Sequence, residues 1–91
     1  MPLVDAIDLR GRLLGALIRL EVRLPAGQVT FIHEYIDAGE WLLALEQLAD
    51  VLAEDEIGLR DDERAELLAL NASTGMGRRV PDVLGGCPAI P

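Results

Sequence analysis

Residues 35–57, YIDAGEWLLALEQLADVLAEDEI, decide how this chain is read. From Glu40 to about Glu54, Trp41, Leu45, Leu48 and Leu52 recur at spacings of three and four, with Leu42, Ala44 and Ala49 beside them. That spacing draws one apolar stripe along a helix. Gly39 fits the left-handed residue that closes a preceding helix. At the far end stand three consecutive acids, Glu54, Asp55 and Glu56. The strongest core helix of the chain therefore ends in concentrated negative charge.

Working outward, Val29, Ile32 and Ile36 place the inner stripe of a helix over residues 25–38, entered through the break Leu24-Pro25-Ala26-Gly27. The short link at Gly39 forces this helix and the next into an antiparallel or steeply crossed pair. Residues 3–23 form another helix, with Ala6, Leu9, Leu13, Ala16, Leu17 and Leu20 on one stripe and Ile7, Leu14 and Ile18 widening it. Gly11 and Gly15 each cost about 1 kcal/mol relative to Ala in a helix, which points to a close crossing or a kink there. Beyond the acids, Asp61 is placed to cap a fourth helix that carries Ala65, Leu67, Leu68 and Ala72 to about Ser73 and stops at Gly75 or Gly77. Asp62 and Glu63 suit its positive end. From Arg78 the composition changes: residues 80–91 hold three prolines and two glycines, which predicts an extended tail packed only in part. The expected architecture is all-α, a small single-domain bundle of about four helices over residues 1–77 with an irregular Pro/Gly-rich tail over 78–91.

Composition agrees with such a bundle. Half of the 91 residues are apolar and only Phe31, Tyr35 and Trp41 are aromatic, so the core must be aliphatic. Cys87 is the single cysteine, which precludes an internal disulfide and a thiolate metal framework and suits a reducing, cytoplasmic setting. The first apolar run is interrupted by Asp5, Asp8, Arg10 and Arg12, so neither a secretory leader nor a membrane span of about 20 apolar residues is expected.

The net charge of −8 is unevenly distributed. Residues 1–33 hold four Arg against three acids, residues 34–66 twelve acids against Arg60 and Arg64, and residues 67–91 Arg78 and Arg79 against Asp82, giving +1, −10 and +1. A surface of that sign repels phosphate, which disfavours nucleic acid and anionic membranes as direct ligands and favours a basic protein. Glu46, Asp50 and Glu54 follow one another at i, i+4, where solvent-facing helices ordinarily mix signs. Each like-charged step costs a few tenths of a kcal/mol, so the ridge reads as a docking surface, which Glu56, Asp61 and Asp62 extend. Tyr35 and Trp41 are candidate buried anchors at its margin, since aromatic residues are enriched in interface hot spots. Core packing is the competing role for both.

No catalytic or metal-binding pattern emerges. His33-Glu34 lacks the second histidine of a zinc helix. Residues 54–58 lack the alternating acids of a calcium loop. One histidine must serve every candidate nucleophile, and the glycines near the C-terminus fit no phosphate cradle. The chain is therefore expected to work as a non-enzyme, without metal or cofactor.

Four local patterns carry a family resemblance: Tyr35-Ile36-Asp37-Ala38-Gly39-Glu40, Ala44-Leu45-Glu46-Gln47-Leu48-Ala49-Asp50, Glu54-Asp55-Glu56-Ile57, and Asp61-Asp62-Glu63-Arg64-Ala65-Glu66. Over residues 24–76 the chain resembles the MafI family of bacterial immunity proteins, antitoxins encoded beside polymorphic or contact-dependent toxins. The resemblance implies an all-α domain that binds and blocks a cognate basic toxin domain, commonly a nuclease. The partner-binding set is then Tyr35, Asp37, Glu40, Trp41, Glu46, Asp50, Glu54, Asp55, Glu56, Asp61 and Asp62. The alternative is an interaction module that forms a homodimer or docks in a larger assembly through the first helix, whose Leu13, Leu14, Leu17, Ile18 and Leu20 are difficult to bury in so small a bundle.

Overall fold

The computed structural model describes residues 3–74 and 77–91, with side chains from Ala6 onward. Five helices follow in order: α1 (Leu3–Leu20), α2 (Ala26–Asp37), α3 (Trp41–Glu54), α4 (Asp61–Ser73) and α5 (Arg79–Leu84). A single 3-10 turn, Glu21–Arg23, extends α1. Leu24 then turns extended, as the residue before Pro25 must. The all-α architecture holds: the described residues contain no strand, only an isolated parallel bridge between Leu59 and Ala89.

Helix α3 is the centre. Six of its fourteen residues are buried, Ala44, Leu45, Leu48, Ala49, Val51 and Leu52, and α2 and α5 pack most closely on it. Helix α1 closes the other side with Leu9, Leu13, Ala16, Leu17 and Leu20 buried. Of the five residues that looked difficult to bury, Leu13, Leu17 and Leu20 are each 1% exposed, Leu14 is half-buried, and Ile18, at 62%, points to solvent. The crossing expected at Gly11 and Gly15 is not made within the chain, and both glycines are exposed.

Helix α4 departs from its expected stripe. Its core-facing positions are Glu63, Leu67, Leu70 and Asn71, while Ala65, Leu68 and Ala72 are exposed. Two polar residues on the inner face hide its periodicity. Asn71 Nδ2 donates to the Gly77 carbonyl at 3.0 Å, which satisfies that burial. Helix α4 ends at Ser73; Gly75, one candidate stop, lies outside the described residues.

The tail differs from the extended segment expected. Residues 79–84 are helical, and Val80, Leu84 and Cys87 join the same buried cluster as α3. Pro81 sits in the first turn of α5, where its missing N–H breaks no bond. The remainder returns beside the α3–α4 loop: Leu59 N–H donates to the Pro88 carbonyl at 2.8 Å, and Ile90 N–H to the Leu59 carbonyl at 3.0 Å. Arg64 holds the turn by donating to the carbonyls of Leu84 (2.6 Å) and Cys87 (2.7 Å).

Candidate functional site: an acidic corner between α3 and α4

Helices α2 and α3 end in the same backbone motif. Gly39, at φ +76°, donates to the Ile36 carbonyl (3.1 Å) and Glu40 N–H to that of Tyr35 (2.9 Å). Glu56, at φ +50°, donates to the Ala53 carbonyl (3.1 Å) and Ile57 N–H to that of Leu52 (2.9 Å). Both pairs satisfy helix carbonyls that would otherwise be orphaned. The first motif has the glycine its left-handed residue favours. The second has a glutamate, at a cost of about 1 kcal/mol. Ile57, half-buried against the core, holds the turn and leaves Glu54, Asp55 and Glu56 in solvent.

Helix α4 begins differently from expectation. Asp61 is its first helical residue rather than its cap; the Arg60 N–H is taken at 2.9 Å by the Glu63 carboxylate. Glu63 is 4% exposed and receives two bonds from Arg23, at 2.8 and 2.9 Å. The Arg23 guanidinium holds the Glu63 carboxyl below the ordinary carboxylate range, against the opposing effect of burial, and the Arg60 N–H adds to the lowering.

Arginines outside the acidic third answer half of its charge. Arg10 pairs with Asp37 (3.1 Å), Arg12 with Glu66 (2.7 Å), Arg19 with Asp62 (2.9 Å) and Arg23 with Glu63. Arg79 of α5 reaches both Glu46 (3.2 Å) and Asp50. The ridge on α3 is therefore not unanswered: one guanidinium lies against two of its three acids. The premise that Glu46, Asp50 and Glu54 repel one another without a counter-charge is corrected by a residue 29 positions from Asp50, brought close only because α5 folds back.

Six of the twelve acids in residues 34–66 have no counter-ion among the described residues: Glu34, Glu40, Glu54, Asp55, Glu56 and Asp61. Four of these six, Glu54 to Glu56 and Asp61, flank the single α3–α4 turn, all exposed. Such a corner can receive Arg or Lys side chains through charge-assisted hydrogen bonds.

The other members of the predicted set lie at the opposite end of α3. Tyr35, Asp37, Glu40 and Trp41 surround the α2–α3 turn, separated from the corner by the length of a helix of about 20 Å. Tyr35 is half-buried, its ring edge-on to Phe31 with centroids 5.1 Å apart. Phe31 is 48% exposed and extends this aromatic edge. Trp41 is half-buried, packs on the core and borders a shallow groove of about 230 Å³ with Leu9 and Thr74; its indole Nε1 is buried without an acceptor. His33 is exposed and meets Asp37 at 3.2 Å.

The spacing Arg60–Glu63 carried a local sign of Glu63, since the third helical position is where an acid reaches back to the cap. Arg79 carried none. Among the described residues no three His, Cys, Asp or Glu side chains could hold a metal ion. Burial pushes the Cys87 thiol up, which disfavours the reactive thiolate. No described helix is long and apolar enough to cross a membrane. Comparison with protein-family models, curated proteins and solved structures returns no match.

Proposed function

We propose that this chain is an immunity protein that neutralises a basic toxin domain by seating it on the α3–α4 corner. The observation that carries the reading is the concentration of uncompensated charge: Glu54, Asp55, Glu56 and Asp61 share one turn, while Asp37, Glu46, Asp50, Asp62, Glu63 and Glu66 have arginine partners within the chain. A left-handed glutamate where glycine costs less supports the same reading, because strain kept at an exposed turn tends to accompany function. The resemblance of residues 24–76 to the MafI family supplies the class of partner. A nuclease fits it chemically, since a rim that attracts phosphate also attracts these carboxylates.

The partner docks on the corner and uses the field for orientation. Its lysines and arginines replace the water around the four acids, and the occluded rim no longer admits nucleic acid. Tyr35 and Trp41, at the far end of α3, are reached only by a partner spanning the helix. The test is co-expression with the basic domain encoded beside this gene. A 1:1 complex and rescued growth are expected, with loss of rescue on replacing Glu54, Asp55, Glu56 and Asp61 by their amides. Full rescue by that folded quadruple variant would sink the proposal.

A further inference from the structure

We infer, resting on the corner docking proposed above, that the basic partner makes its second contact through an arginine side chain seated on a patch of Phe31, Tyr35 and Leu43. The bond from Gln47 Nε2 to Gln28 Oε1, at 2.8 Å, fixes the antiparallel register of α2 and α3. One turn on from Gln28 and one turn back from Gln47, Leu43 lies across from Phe31 and Ile32. Ile32 is buried, whereas Phe31 is 48% and Leu43 44% exposed. The rings of Phe31 and Tyr35 meet at 64°, a T-shaped pair that occupies at most one face of one ring. The outer lip of the α2–α3 hairpin therefore offers an open aromatic face.

The charge around this patch selects its occupant. Residues 24–59, which supply both helices and their turn, contain neither Arg nor Lys. Arginines from elsewhere meet the hairpin only at other positions, Arg10 at Asp37 and Arg79 at Glu46 and Asp50. Glu34, one turn along α2 from Phe31, and Glu40, whose N–H bonds the Tyr35 carbonyl, are exposed and have no counter-ion among the described residues. An apolar occupant would desolvate these two carboxylates without pairing them. A second copy meeting the patch through the same face would set acid against acid. A cation satisfies ring and carboxylates together. Arginine fits better than lysine, because its planar guanidinium stacks on a ring while its edge donates to a carboxylate. Leu43, Gln47, Asp50 and Glu54, at spacings of four, three and four, draw one outward stripe of α3 from the patch to the corner. The partner therefore presents two basic clusters about 17 Å apart.

The chain has one Phe and one Tyr, so composition alone assigns their ring signals in a nuclear magnetic resonance titration. The probe is hexa-arginine amide added at low salt to the full chain, with hexa-citrulline amide as its uncharged counterpart. Both ring signals are expected to shift with hexa-arginine, alongside the amides of Glu54 to Glu56, and to stay in place with hexa-citrulline. Phe31→Leu keeps the apolar bulk and removes the ring; it should raise the dissociation constant read from the Tyr35 ring about threefold, with an unchanged circular dichroism spectrum. Glu34→Gln with Glu40→Gln should raise it by at least as much. Rings unmoved while the corner amides shift would overturn this contact and leave corner docking standing. Equal ring shifts with hexa-citrulline, or a Phe31→Leu chain that binds as the wild type does, would overturn the cation as occupant. Ring shifts as expected beside a failed co-expression rescue would remove the immunity reading and keep the arginine seat.

Discussion

Glu56 occupies a backbone conformation, φ +50°, that glycine adopts freely and a glutamate does not. Glu56→Gly should therefore stabilise the fold by about 1 kcal/mol in urea denaturation while weakening partner binding, because it removes both the strain and one acid of the corner. A variant improved in both respects would argue against a role for this side chain. Glu63 behaves oppositely. Removing its charge leaves Arg23 without its carboxylate at a largely buried site, and since the Arg23 side chain is itself 22% exposed, Glu63→Gln should cost about 2 kcal/mol, below the usual buried-pair range. Its folded-state pKa lies below the ordinary 4.5, so its contribution is complete above that pH and is lost as pH falls through the lower folded value. Acid titration of stability should show this loss in the wild type and a shallower limb in Glu63→Gln. The cap at Gly39 is legible locally because the backbone motif spans six residues and carries its glycine, whereas the matching cap at Glu56 is not, because a glutamate stands where glycine would mark it. The partner of Glu63 is not, because Arg23 lies 40 positions away.

Helix α5 changes how α3 is understood. Leu84 is 1% exposed, and Leu84→Ala should cost about 3 kcal/mol by leaving a cavity beside the α3 core. Arg79 is different: its side chain is 58% exposed, so Arg79→Ala should change stability by less than about 1 kcal/mol. It should nevertheless speed association with a basic partner, since Glu46 and Asp50 would rejoin the uncompensated field. Stopped-flow association rates with the wild type and Arg79→Ala test this, and a slower variant would contradict it. Three prolines and two glycines made residues 80–91 read as an extended tail. That reading failed because Pro81 sits in the first turn of α5, where proline is harmless, and because Val80, Val83 and Leu84, although at helical spacing, span a single turn, too short a run to show a period.

At the scale of the molecule the dominant quantity is field rather than contact. Excess acid is concentrated at one corner, and the apolar face of α1 looks outward from the side that carries the arginines. Replacing Glu54, Asp55 and Glu56 by amides should slow partner association at least about tenfold at low salt and leave dissociation less affected, while molar salt should erase the difference. Surface plasmon resonance at two salt concentrations reads both constants; equal on-rates in the two proteins would remove the steering argument.

Helix class, the central place of α3, the breaks at Leu24–Pro25 and Gly39 and the division of charge along the chain were determined by the sequence itself. Each rests on interactions between residues fewer than about eight positions apart, where periodicity and capping chemistry act. Tertiary structure alone decided which acids keep their charge to themselves. Arg10, Arg12, Arg19, Arg23 and Arg79 meet carboxylates 27 to 54 positions away. It also decided that Ile7 and Ile18 of α1, and Val22 in the turn after it, stay outside the core. Those pairings depend on which helices become neighbours, and chain separation along the sequence does not encode distance in the packed bundle.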